Sequence, residues 1–161
     1  MFELTQETPE DWWEVEALYD LCFAPGREAL SSYRLRDEVE PVAELSLVAR
    51  DAENILAGAI RFWPVRVCEK DALLLGPIAV HPTRQAEGLG GLLMRSSLEI
   101  AASSGWDRVL LVGDAPYYGR FGFKRLEGVM MPPPTNPDRV LGYELSNDAW
   151  RGCIGEVFRK S

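Results

Sequence analysis

Apolar positions along the chain change their spacing several times, and each change marks a new element. Trp12, Val15, Leu18, Tyr19, Cys22 and Phe23 recur three and four apart, the spacing of one helix face. Thr8-Pro9-Glu10-Asp11 opens that helix. Thr8 is its N-cap, Pro9 sits in the first turn, and Asp11 completes a capping box. Pro25-Gly26 breaks it, and a second, less regular helix is expected over residues 27–39, stopping before Pro41. Residues 45–49 and 55–67 are strand-like and flank Asp51-Ala52-Glu53-Asn54, so they read as a hairpin. Pro64 has no N–H to give a ladder, which puts the end of the second strand at an edge or a bulge. Glu69-Lys70-Asp71 reads as a turn, and residues 72–80 as a continuous apolar strand buried on both faces.

A polar loop over residues 81–87 precedes a long helix over 88–104, with Leu89, Leu92, Leu93, Ser96 and Ile100 on one face and Gly105 at the stop. Residues 109–112 form a short buried strand. Strand, helix and strand in that order make a βαβ unit, so its two strands should run parallel. A short helix over 115–120 has Asp114 as N-cap and Pro116 in its first turn. Phe121-Gly122-Phe123 leads into a strand, Pro132-Pro133-Pro134 marks a loop, and residues 139–145 form one more strand. The tail after Ser146 carries no readable pattern. No repeat or low-complexity linker divides the chain, so its 161 residues are expected to form a single α/β domain, residues 1–161.

Composition narrows the function. Hydrophobic residues make up 47% and charged residues 26%, as in ordinary globular proteins. The formal net charge is -8 and no lysine- or arginine-rich run occurs, which argues against a nucleic-acid partner. An acidic surface suits a protonated amine. Cys22, Cys68 and Cys153 lie far apart, His81 is the single histidine, and no metal-ligand spacing occurs. Neither a metal site nor a disulfide framework is expected. The first residues have neither a basic nor an apolar stretch, so no signal peptide is expected. The apolar run 72–80 is too short to span a bilayer. The expectation is a cytoplasmic protein with no membrane partner.

Arg84-Gln85-Ala86-Glu87-Gly88-Leu89-Gly90-Gly91 stands between the buried strand and the long helix. Glycines there let a ligand approach the backbone closely. The unpaired N–H groups and dipole of a helix start favour an anion, by about 0.3–1 kcal/mol per charge. A phosphate or pyrophosphate fits. A Walker A loop would need lysine beside serine or threonine, but Leu92-Leu93 follow the glycines; a dinucleotide fingerprint would need glycine where Leu93 stands.

The spacing Gln85-x-x-Gly88-x-Gly90 resembles the pyrophosphate loop of the GCN5-related N-acetyltransferase (GNAT) superfamily. Leu75-Gly76-Pro77-Ile78-Ala79-Val80-His81-Pro82 resembles its central strand, and Tyr117-Tyr118-Gly119-Arg120-Phe121-Gly122-Phe123 its second signature, a tyrosine four residues before Gly-Phe. Gly113-Asp114 and Val140-Leu141-Gly142-Tyr143-Glu144-Leu145 are similar to a bacterial branch of predicted acetyltransferases. The resemblance covers residues 1–146. It implies a mixed, mostly antiparallel sheet flanked by helices, with two parallel strands splayed around a pantetheine arm. It implies acetyl-CoA as cosubstrate, direct acetyl transfer to a primary amine, and a small-molecule or peptide amine acceptor. Arg84, Gln85, Ala86, Glu87, Gly88, Leu89, Gly90 and Gly91 would surround the pyrophosphate. Backbone groups of Ile78, Ala79 and Val80 would meet the arm, with an N–H near Ala79 or Val80 polarising the thioester carbonyl. Tyr118 would protonate the departing thiolate. Relatives of this kind are often dimers, so a homodimer stays open.

One departure stands out. Some members carry a glutamate base on the central strand, and that position is Leu74 here. Deprotonation would fall to water, to Glu28 or Glu38, or to an amine that arrives neutral. A catalytically degenerate acyl-CoA-binding or sensing module is the alternative reading. Tyr117 reads as the packing neighbour of Tyr118, His81 as a plain loop residue, and Arg84 as either a phosphate ligand or a solvated cation. Trp12 and Trp13 are expected in the core or along an acceptor pocket.

Overall fold

The computed structural model describes residues 1–23, 35–36 and 38–160. In chain order the elements are β1 (Glu3–Gln6), α1 (Trp12–Cys22), β2 (Leu47–Arg50), β3 (Leu56–Val67), β4 (Lys70–Val80), α2 (Leu89–Ser103), β5 (Arg108–Val112), α3 (Ala115–Gly119), β6 (Lys124–Arg125), β7 (Val129–Met130), β8 (Val140–Glu144) and β9 (Gly155–Arg159). The sheet runs β1-β2-β3-β4-β5-β8-β6, with β9 pairing β3 and β7. Along that path every pairing is antiparallel except β4 with β5. This is the mixed α/β architecture expected from the βαβ unit.

Local chemistry explains most boundaries. The Thr8 N–H and hydroxyl both donate to Asp11 Oδ2, at 2.8 and 3.0 Å, and start a short 3-10 turn, Pro9–Asp11, ahead of α1. The β2–β3 turn closes on Asp51, whose Oδ1 accepts from the N–H groups of Glu53 and Ile55. At the end of α2, the N–H groups of Gly105 and Trp106 return to the carbonyls of Ala102 and Ala101, a Schellman closure. Pro64 lies opposite Leu73 of β4; on its other side β2 pairs with β3 only as far as Ile60 and β9 only from Val65. The proline occupies the uncovered interval between them.

Several boundaries differ from the sequence expectation. Leu45 ends a 3-10 turn, Ala43–Leu45, before β2 begins. Cys68 and Glu69, both at positive φ, make the β3–β4 turn, so Lys70 already belongs to β4. The buried stripe of α2 is Leu89, Leu93, Met94, Ser97, Leu98 and Ala101, rotated from the predicted face, while Leu92 is exposed. Gly58 of β3 leaves room for Leu89 and Leu93, each 3.0 Å from where a Cβ on that glycine would stand, and Ser97 satisfies its hydroxyl on the carbonyls of Leu93 and Met94. Trp12 and Trp13 are exposed and pack edge to face on each other. The tail forms β9. The predicted helix over 27–39 lies largely outside the described residues. No helix among the described residues is long and apolar enough to cross a membrane.

The feature that shapes the molecule is the break in β4. Its parallel pairing with β5 consists of Leu73 with Val109 and Leu74 with Leu110, and stops there. Between the pairs Ile60–Ile78 and Phe62–Leu75, the one β3 residue Arg61 opposes two of β4, Gly76 and Pro77, so β4 bulges there. Pro77 has no N–H to offer a neighbour. The carbonyls of Gly76 and Pro77 are taken by side chains. Trp63 Nε1 donates to Gly76 at 2.7 Å, and the Tyr19 hydroxyl donates to Pro77 at 3.2 Å. β4 therefore leaves β5, and the two strands splay into a wedge.

Tyr19 is fully buried beneath Arg61, whose guanidinium stacks on its ring and pairs with Glu7 and Glu16. Tyr19→Phe leaves a buried carbonyl without its donor. It should lower unfolding stability by about 1–3 kcal/mol in urea titrations; an unchanged midpoint would show that the bond does not hold the bulge.

Candidate active site

The chain leaves β4 with the His81 N–H bonded to the Ala57 carbonyl at 2.7 Å, and turns through a 3-10 helix, Pro82–Glu87. His81 caps that helix, its Nδ1 accepting the Thr83 N–H, which is a local structural role. Gly88 joins the 3-10 helix to α2 at φ 74°, a left-handed conformation that glycine adopts without strain. The first bond of α2 runs from the Leu92 N–H to the Gly88 carbonyl at 3.2 Å. The N–H groups of Leu89, Gly90 and Gly91 precede it and have no helical carbonyl behind them. They form the donor cluster that an anion needs.

The loop side chains take different parts. Gln85 Nε2 donates to the Val80 carbonyl at 3.3 Å and ties the loop to the end of β4. Leu89 is buried in the core, so only its backbone faces the turn. Ala86 and Glu87 are exposed. Arg84 pairs with Asp51 at 3.0 Å and with Glu87, and its guanidinium stacks over Phe2. Its hydrogen bond holds the Glu87 carboxyl below the usual range. Arg84 is thus neither simply solvated nor aimed at the donor cluster.

Ile78, Ala79 and Val80 lie on the stretch of β4 that β5 does not pair. His81 bonds to β3, and backbone direction alternates along an antiparallel ladder, so Ala79 faces β3 while Ile78 and Val80 turn toward the wedge. The Val80 carbonyl also accepts the Cys22 thiol at 3.4 Å.

α3 starts where β5 ends, with Asp114 Oδ2 accepting the Tyr117 N–H at 3.1 Å. Gly113 is required by Tyr118: a Cβ there would overlap the Tyr118 ring. Tyr118 also packs edge-on to Phe123. Its hydroxyl has no hydrogen bond among the described residues, and burial pushes its pKa up to about 12. Tyr117 packs its ring against Tyr118 and Phe121, as expected. It is partly exposed, and its hydroxyl stands 3.0 Å from the place a Cβ on Gly90 would occupy.

Leu74 is fully buried with Trp63 and Leu110, so its strand position offers no base. Glu38 is exposed and 3.9 Å from Arg159; Glu28 lies outside the described residues. Among the described residues no cluster of His, Cys, Asp and Glu could hold a metal ion. A groove of about 420 Å³ flanks α2, lined by Arg95, Leu98, Glu99, Arg120, Phe121 and Tyr143 among others. Arg95 begins it, one turn along from Gly91 and within 3.0 Å of that residue's missing Cβ. The sequence reading gave Tyr117 a packing role and Tyr19 only a place on a helix face, and did not single out Trp63 or Arg95. The Gly91–Arg95 spacing of one helical turn was a visible signal; the others depend on tertiary contacts.

Comparison with known proteins agrees with this geometry. Residues 12–123 match the family model of the acetyltransferase (GNAT) family. The chain is 32% identical over 155 residues to the uncharacterized N-acetyltransferase YhbS of Escherichia coli K12, covering 94% of this chain and 92% of that protein. It is 40% identical over 141 residues to the uncharacterized N-acetyltransferase YjhQ of the same strain, covering 84% and 76%. The crystal structure of E. coli YhbS in complex with CoA superposes with a TM-score of 0.85 at 27% identity, covering 99% of this chain and 89% of that one. A GNAT family acetyltransferase from Brucella melitensis in complex with acetyl-CoA gives 0.65 at 30% identity, covering 89% and 96%. By these matches the chain belongs to the acetyltransferase (GNAT) family.

Proposed function

We propose that this chain transfers an acetyl group from acetyl-CoA directly to a primary amine of a small molecule or peptide. The observation that carries the reading is the wedge between β4 and β5, opening beside the donor cluster of α2. The cofactor's pyrophosphate sits on the N–H groups of Leu89, Gly90 and Gly91. Its nucleotide end follows α2 into the groove begun by Arg95. Its pantetheine arm enters the wedge as an extra strand, pairing its amides with the backbone of Ile78 and the N–H of Val80.

The acetyl carbonyl then lies against a β4 N–H that turns toward the wedge, which stabilises the oxyanion as the amine attacks. Carbon–nitrogen bond formation gives a tetrahedral intermediate, and the carbon–sulfur bond breaks to release the CoA thiolate. No acyl-enzyme is needed: burial raises the Cys22 and Cys153 thiols, which disfavours their nucleophilic thiolates. Tyr118 meets the leaving sulfur. With a pKa of about 12 it is fully protonated at neutral pH. Full transfer to a thiolate of reference pKa about 8.5 is uphill, so Tyr118 acts chiefly as a hydrogen-bond donor and solvent completes protonation. With leucine at position 74, the amine loses its proton to water. Free thiols at Cys22, Cys68 and Cys153 suit a reducing compartment such as the cytoplasm.

Gly90→Glu places a carboxylate in the anion site. Calorimetry should show acetyl-CoA binding abolished while the circular dichroism spectrum persists; retained affinity sinks the phosphate assignment.

Tyr118→Phe keeps the ring and removes the donor. Acetyl-CoA affinity should stay within a few-fold, while turnover on an amine panel falls on the order of 10²-fold, the low end for one acid group. The wild-type rate should show no alkaline decline from this group below about pH 11, because its proton is still held there. Normal turnover by the variant would assign the leaving-group step to another donor.

A further inference from the structure

Two tyrosines are adjacent on α3, and the leaving-group step uses one. The other is held too deliberately to be a packing residue alone. Asp114 anchors the Tyr117 N–H. The Tyr117 ring is fixed edge-on by Tyr118 at 4.9 Å and by Phe121 at 5.6 Å, and the Arg120 guanidinium covers it at 4.6 Å. A phenylalanine would make all of these ring contacts. The hydroxyl is what they leave unexplained: it has no hydrogen bond among the described residues and points at the first turn of α2.

Distance gives it a use. The hydroxyl stands 3.0 Å from the position of a Cβ on Gly90. Within a residue, N and Cβ are about 2.5 Å apart, so the hydroxyl lies within about 5.5 Å of the Gly90 nitrogen. One phosphate oxygen accepting from both donors at about 2.7–2.9 Å spans that gap. A Cβ on Gly90 would stand tight against the hydroxyl. Arg120 adds a positive charge on the same side of the site.

We infer that Tyr117 is a phosphate ligand of the cofactor, donating its hydroxyl to an oxygen already held by the first turn of α2. The inference rests on the acetyl-CoA reading above. It divides the pair: Tyr117 binds phosphate, and Tyr118 serves the sulfur.

The test is Tyr117→Phe, which preserves the ring and its contact with Arg120. Calorimetric titration with CoA should give a dissociation constant about tenfold higher than wild type, the effect of removing one hydrogen bond to a charged group. S-acetylpantetheine, which has the arm but no phosphate, should bind variant and wild type equally in competition experiments. The melting temperature of the ligand-free chain should not move. Unchanged CoA affinity overturns the inference, and so does an equal loss with S-acetylpantetheine, which would make the role structural. If the wild-type chain itself fails to bind CoA, the acetyl-CoA reading falls, and this role falls with it.

Discussion

Two hydrogen bonds to consecutive carbonyls, from Trp63 to Gly76 and from Tyr19 to Pro77, set the geometry on which the rest of the molecule depends. A carbonyl taken by a side chain from one face of the sheet is not available to the next strand. With Pro77 lacking an N–H as well, β4 cannot continue its ladder with β5 past Leu74. An open edge inside a sheet is normally a hazard, because unpaired backbone invites another strand. Here the edge is short, flanked by α2 and α3, and shaped for an extended ligand.

The same bonds connect the open edge to the N-terminal half. Tyr19 lies on α1 and is covered by Arg61 of β3, which also gathers Glu7 and Glu16. Buried ion pairs of this kind add little net stability, since desolvation offsets their attraction, but they fix position well when fully paired. α1 thus cannot shift without disturbing the bulge. Electrostatics at the anion site follows a similar division. The chain is acidic overall, and Arg84 is neutralised by Asp51 and Glu87. In the proposed function, phosphate binding at the start of α2 would therefore rely on backbone N–H groups and the helix dipole. At about 0.3–1 kcal/mol per charge these orient a ligand more than they bind it. Affinity has to come from many contacts spread along an extended cofactor.

The legible parts of the sequence were those fixed by local chemistry. The Thr8–Asp11 cap, the Asp51 turn, the strand-then-glycine order into α2 and the Asp114 cap each declare themselves within a few residues. The parallel relation of β4 and β5 followed from the strand–helix–strand order of a βαβ unit. What stayed hidden depends on partners distant in sequence. β9 is too short and too polar to show a pattern, and pairs the stretch of β3 from Val65 onward that β2 does not reach. The stripe of α2 was misjudged because the face turned to the sheet is set by tertiary contacts, such as Leu89 and Leu93 against Gly58 of β3, which leave Leu92 exposed. Tyr117 read as a packing neighbour and its ring does pack on Tyr118 and Phe121, but the direction of its hydroxyl, toward Gly90, is not set by spacing.

The central claim is that the bulge of β4 keeps a strand edge open for the arm of acetyl-CoA. Amide hydrogen exchange, read residue by residue with and without acetyl-CoA, tests it directly. The amides of Ile78 and Val80, on the open edge, should exchange more slowly when the cofactor is bound, together with those of Leu89, Gly90 and Gly91. The amide of Ala79, turned toward β3, should be protected in both states. Unchanged exchange at Ile78 and Val80 under saturating acetyl-CoA would contradict the claim.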